Sequence, residues 1–324
     1  MRITHLLFLA IPLFIAQAQE TLPPAKPVPR MMVLPLPHAV ASFRFNGLEL
    51  TAMHHDPADM RPFWYPLLSS KGVSLTRLGH PHDPVSHSHH NSVWFSHNSV
   101  NGIDFWGDKA EVQGRIVTQR VDHFEDADDH AVMLMTNHWV RASDESVQLI
   151  ETRRSEVRPL DGAKSWLLMI DAEFAAPAGQ TSTFGTSFFG LIAVRVAKSI
   201  GVRDGGGRIL NSEGQINEAQ VFRKPARWCD YSGRITNDPD GFAGITLMNH
   251  PANPQNPTAF HVRDDGWMGA CLSPDKPLTI TDTRKLRVRY ALWIHDAIAT
   301  QSQCEAQWKA FAERPLIDLA AIRK

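Results

Sequence analysis

The sequence predicts a mostly-β protein, one large antiparallel β-sandwich with a single short C-terminal helix. Long segments of alternating or β-branched residues recur from residue 112 onward, tight-turn signals join them, and helical periodicity is confined to the end of the chain.

The elements follow in order. Arg2 and an apolar run from Ile3 precede Ala16-Gln17-Ala18, the small-x-small pattern of a cleavage site. The run is too short to span a bilayer, so residues 1–18 read as a cleaved signal peptide. The mature chain would begin at Gln19, in the periplasm or outside the cell. Residues 19–42 carry Pro23, Pro24, Pro27, Pro29, Pro35 and Pro37 and read as an extended leader. Residues 43–324 are expected to form a single sandwich domain, a length that all-β units reach.

Phe43 to Leu50 reads as a hairpin about Asn46-Gly47. Residues 54–91, rich in proline, histidine and glycine, read as long loops that carry function. Strands are expected at 112–121, 131–140, 147–157, 166–174, 188–196, 244–248, 259–263 and 286–295, with Asp161-Gly162 as one of the turns. Gly205-Gly206-Gly207 opens no helix and is given no nucleotide role. Cys304, Trp308 and Phe311 have helical spacing, and Pro315 stops the run.

The 33 basic and 34 acidic residues nearly cancel, which gives no electrostatic reason to expect a nucleic-acid or anionic-membrane partner. Cys229, Cys271 and Cys304 are too few and too widely spaced for a disulfide framework or a zinc finger. Histidine is the outlier, at 16 residues. Six of them, His80, His82, His87, His89, His90 and His97, fall in one short stretch.

If residues 87–97 are extended, His87, His89, Asn91 and His97 share a face, with His90 on the other. Such imidazoles bind a divalent metal (His87, His89 and His97 being the set), act as acids or bases, or form a structural polar network. The sequence leaves these open, and no cofactor is certain. Asn101-Gly102 is a tight turn, and Trp106 beside Gly107 suits the C–H face of a pyranose. Trp228, Asp230 and Tyr231 alternate aromatic and acidic groups, as polyol-binding surfaces do. His250 sits in a loop stiffened by Pro251 and Pro254, and His261 and Arg263 alternate onto one face of a short strand before Trp267. We expect His89, His90, His250 and His261 to converge on one pocket with Arg263 at its rim. Glu213 and Asp230 are the carboxylates a hydrolase would use.

These blocks resemble an uncharacterised bacterial family labelled methane oxygenase PmoA. The likeness runs through His87-Ser88-His89-His90-Asn91, Val100 to Trp106, Phe184-Gly185 to Phe189-Gly190, Arg227 to Gly233, His250 to Asn253, Phe260 to Trp267, and Arg289-Tyr290 to His295. It covers roughly residues 43–296. The oxygenase subunit behind the label is built from transmembrane helices, which this sequence lacks, so that activity is rejected. The resemblance instead implies a secreted carbohydrate-related protein and a supersandwich of galactose-mutarotase-like form. The expected function is a glycoside hydrolase or lyase with a His-rich active site, acting on a plant or algal glycan or an oxidised sugar, met as an oligosaccharide or small sugar. In a lyase, a histidine would take a proton next to a carbonyl or carboxylate while Arg263 held the developing negative charge. The rivals are a non-catalytic carbohydrate-binding protein and a metal-dependent oxidoreductase.

Overall fold

A computed structural model describes residues 25–79, 87–109 and 113–322. The expected signal peptide, His80 and His82 lie outside the described residues. Among those described, the strands run β1 (Met31–Leu36), β2 (Val40–Phe45), β3 (Leu48–His54), β4 (Phe63–Trp64), β5 (Val93–His97), β6 (Gly114–Asp126), β7 (Ala131–Arg141), β8 (Val147–Leu160), β9 (Ser165–Ala175) and β10 (Thr181–Phe184). They continue with β11 (Ser187–Arg195), β12 (Arg208–Asn211), β13 (Lys224–Ala226), β14 (Trp228–Arg234), β15 (Phe242–Asn249), β16 (Thr258–Arg263), β17 (Trp267–Ser273), β18 (Leu278–Thr281) and β19 (Leu286–Asp296). Four helices accompany them: α1 (Val202–Gly205), α2 (Asn217–Val221), α3 (Gln301–Ala312) and α4 (Leu319–Ile322).

The fold is mostly β, as expected, with two large antiparallel sheets. One has the order β1-β2-β3-β4-β5-β11-β17-β16-β13, the other β12-β14-β15-β19-β9-β8-β7-β6. β10 and β18 form a small ribbon. The inner faces share one apolar core, where Trp64, Phe95, Ile192 and Met268 of the first sheet meet Trp139, Leu168, Ile170 and Tyr290 of the second. A buried ion pair on β8 lies within this core. Arg153 binds Glu151, and its guanidinium lies over the rings of Trp64 and Phe95.

Local signals work where expected. Asn46 and Gly47, at φ 50° and 81°, make the left-handed turn that pairs β2 with β3. Helix α3 starts at a Thr300 capping box closed by Gln303 and buries Cys304 and Phe311. It covers the outer face of the second sheet, against Trp228, Met248, Ala291 and Trp293. The three cysteines are free and buried.

Part of the expected leader is folded. Met31–Leu36 pairs with β2, and Met31 and Val33 enter the core. Pro35 fits there because β1 is an edge strand, where a missing N–H leaves no neighbour unpaired. No helix among the described residues is long and apolar enough to cross a membrane.

Candidate active site

The expected extended run from His87 does not form. β5 begins only at Val93, because Ser92 takes φ 56° and turns the chain. Alternation from there sends Val93 and Phe95 into the core and Trp94 outward. The outward face builds a row across six strands. In register stand His54 of β3, Phe63 of β4, Trp94 of β5, Ala193 of β11, Gly269 of β17 and His261 of β16. The two smallest residues sit mid-row and leave a trough between Trp94 and His261.

Trp106 and Trp267 fill the floor of that trough. The Trp106 ring lies 5.3 Å from Trp94 and 5.9 Å from Trp267. They are 6% and 3% exposed, so these indoles form a packed floor; neither is the open stacking platform the sequence suggested. Two half-buried rings border this site: Phe189 against Trp106 and Trp267, and Phe222 against His261. Phe189 lies 4.9 Å from the His261 ring and 5.5 Å from Trp106.

The imidazoles gather here. His90 stacks on His87 at 4.6 Å and meets His89 at 4.5 Å. His90 and His261 both border Trp267, at 5.4 and 4.3 Å. Two distant segments therefore meet at Trp267, one carrying His90 and the other His261. His87 Nδ1 stands 3.5 Å from Asp265. His261 Nδ1 donates to the Phe188 carbonyl at 3.3 Å, because a carbonyl only accepts. Its Nε2 is then the lone-pair nitrogen, and among the described residues it has no hydrogen-bond partner. Burial is the first cause that pushes His261 down to about 4, with Arg223 and Arg263 adding to it. His89 also falls to about 4, through burial and then Arg61, and His90 is driven well below the ordinary imidazole value, first by burial. These rings are neutral at pH 7.

Arg61 holds the site together, and no motif announced it. It is 1% exposed. It donates to the carbonyls of His89 (2.9 Å), Phe105 (3.2 Å) and Trp106 (2.9 Å), to Gly107 O, and to Asn91 Oδ1 (2.8 Å). One guanidinium thus ties the histidine turn to the Trp106 loop. Burial lowers it to about 10, so it is still charged at neutral pH. The run Arg61-Pro62-Phe63-Trp64-Tyr65-Pro66, set in a stretch read as loop, was the available signal. Asn91 serves this clamp, which explains its place beside the histidines.

Other expected site residues lie elsewhere. His97 points inward with Nε2 on Ser273 Oγ (3.0 Å) and Nδ1 accepting from Ser99 N (3.1 Å), so it has no nitrogen left for a metal or a sugar. Among the described residues no three His, Cys, Asp or Glu side chains are grouped to hold a metal ion. His250 does not join the pocket. It packs on Phe311 of α3, and its Nε2 meets the Arg314 carbonyl. Its Nδ1 accepts from Ala252 N, which is how the Pro251 loop uses it.

Asp230 is fully buried beneath α3, binding Ser232, Thr246 and, at 2.8 Å, His295 Nε2. Glu213 is exposed and paired with Arg227. These two carboxylates flank no shared space: one is sealed in a strand, the other rides a surface turn. Trp228 is buried, donating to Glu305 of α3. The buried Tyr231 hydroxyl bonds the backbone at Val202, Arg263 and Asp264. Asn101 pins its turn to Gln148 and Thr183. Arg263 pairs with Glu218 at 3.1 Å, not with the neighbouring aspartates. A cavity of about 610 Å³ lies at the β2–β3 hairpin beside Lys164 and is lined by no histidine.

The family model described as Family of unknown function (DUF6807) matches residues 41–309. Nothing links that family to the methane oxygenase label. No curated protein matches. Among solved structures, the chain is similar to the GH36 α-galactosidase AgaA from Geobacillus stearothermophilus, at 8% identity and a TM-score of 0.39, covering 82% of this chain and 40% of that one. It is also similar to the heparan sulfate lyase HepC from Pedobacter heparinus, at 9% identity and a TM-score of 0.34, covering 84% and 38%. A third is the mutarotase candidate YeaD from Salmonella typhimurium, at 11% identity and a TM-score of 0.30, covering 82% and 97%. The chain spans about two-fifths of the first two.

Proposed function

The chain belongs to the DUF6807 family, and we propose that it is an exported carbohydrate-active enzyme of the lyase type, working on the outer face of the nine-stranded sheet. One observation carries the reading: His261 is neutral, its Nδ1–H is held by the Phe188 carbonyl, and its Nε2 lone pair is unused beside the rings of Phe189 and Phe222. Ring faces suit sugar C–H surfaces, and imidazole nitrogens suit hydroxyls and acidic C–H groups. The hydrolase alternative loses its support because Glu213 and Asp230 do not face each other across a cleft.

In the proposed step His261 Nε2 takes the proton α to the carboxylate of a uronate. The freed C–H electron pair becomes a C=C bond to the adjacent carbon, and the bond from that carbon to the glycosidic oxygen breaks. The leaving oxygen takes the electron pair and receives a proton from His87 in its imidazolium form, whose Nδ1 faces Asp265 at 3.5 Å and which is left neutral by the step. Arg61 takes no part in the proton transfers; it fixes the turn that carries His89 and His90.

The test is a panel of neutral and uronate-containing oligosaccharides, read both for new reducing ends and for ultraviolet absorbance of an unsaturated product. Absorbance from uronates alone, lost in His261→Gln with folding intact, is the expected result. Reducing ends from neutral sugars without absorbance, or full turnover by His261→Gln, would overturn the reading.

A further inference from the structure

The site reading calls for a cation to hold the substrate carboxylate, and the sequence pointed to Arg263. The structure commits that residue elsewhere. Arg263 Nε binds Glu218 Oε1, and the other oxygen of Glu218 accepts from Asp264 N at 2.8 Å. Glu218 N in turn donates to Asp264 Oδ1 at 3.0 Å, which locks α2 onto the β16–β17 turn. Arg61 spends its donors on carbonyls, and Arg195 is buried against Asp265.

Arg223 differs from all three. It is exposed, and among the described residues it has no acidic partner. It is nonetheless held in place. Its guanidinium lies 4.1 Å above the Phe188 ring and 4.9 Å above Phe222. Both neighbours lead straight to the base, since the Phe188 carbonyl accepts the hydrogen bond from His261 Nδ1 and the Phe222 ring is 4.9 Å from the His261 ring. Its backbone is unusual as well. Arg223 sits at φ 57°, a region favouring glycine, and its N–H donates to Phe260 O at the start of β13. A long cation kept in a strained position, stacked on two rings and left without a counter-ion, is a preorganised anion site.

We propose that Arg223 is the specificity residue of this site and that its ligand is the carboxylate of a uronate. This rests on the lyase reading and sharpens its substrate class. Stacking on these rings leaves the guanidinium N–H groups to fork onto a carboxylate, next to the Phe222 ring that borders His261. The same hold would stabilise the negative charge that builds on the carboxylate as the proton leaves.

Calorimetric binding of glucuronate and galacturonate, against glucose and galactose, tests it. Wild type should bind each uronate roughly tenfold or more tightly than the neutral sugar. Arg223→Gln should erase that preference and leave the neutral-sugar affinity unchanged, while Arg263→Gln should keep it. Arg223→Gly relieves the backbone at φ 57°, so lost preference in that variant is not lost folding. Equal binding of acid and neutral sugars by wild type, or an intact preference in Arg223→Gln, would overturn the assignment and spare the sugar-site reading. Failure to bind any of the four sugars would overturn both.

Discussion

Replacing Arg61 by methionine tests how the site is built. The change keeps the length of the side chain and removes a charge that spans two loops. Five acceptors lose their donor: the carbonyls of His89, Phe105, Trp106 and Gly107, and Asn91 Oδ1. The bonds to Phe105 and Trp106 are buried, and each orphaned carbonyl there costs about 1–3 kcal/mol. The other three are partly buried and can rehydrate. The expected net loss is about 4 kcal/mol, the scale of breaking a buried polar network. Arg61→Lys keeps the charge but loses the fork, and should cost about half as much. Urea unfolding at constant m measures the loss. Near-ultraviolet circular dichroism should fall as Trp106 separates from Trp94 and Trp267, with the far-ultraviolet signal intact. A methionine variant within about 1 kcal/mol of wild type would refute the clamp.

Three further outcomes follow from named groups. His97 and His261 are held near 4 by burial, against an ordinary value of about 6.5. The unfolded chain therefore binds protons first as pH falls, so stability is full above about pH 7 and drops between roughly 6.5 and 4, by up to about 3 kcal/mol per fully buried ring. A pH series of urea midpoints checks this, and His97→Gln should flatten part of the slope. Asp230→Ala should cost about 3–5 kcal/mol by stripping the partner of buried His295, with sugar binding per folded molecule unchanged. Ala193→Leu puts bulk where the Trp106 floor packs, and should cost about 1–3 kcal/mol and also lower sugar affinity; calorimetry on that variant reads both.

Most long strands were legible because alternation survives wherever one face is buried. β7, β8, β9, β11, β16 and β19 lie within a few residues of their expected spans. β1 was hidden by its prolines, which an edge strand tolerates. The convergence of the 87–90 turn with His261 was readable from the crowding of imidazoles, but alternation was carried too far back. Ser92 at positive φ ends the strand, so His97 belongs to the core and not to the site. His250, Trp228 and Asp230 look chemical in sequence, yet they are consumed by the packing of α3, a contact between segments far apart in the chain. Arg61 and Arg223 were missed for the same kind of reason. A buried arginine that binds carbonyls, and an exposed one stacked on two phenyl rings, carry no spacing signature; only the assembled loops show what they touch.

The protonation of His261 is the most direct measurement of the proposed chemistry. Nitrogen NMR on isotope-labelled histidine, with the resonance assigned by its loss in His261→Gln, reads both tautomer and charge. His261 should stay neutral through the neutral range, carry its proton on Nδ1, and take up a second proton only near pH 4. A ring that titrates near the ordinary value of about 6.5, or that carries its proton on Nε2, would contradict the assignment of His261 as the base.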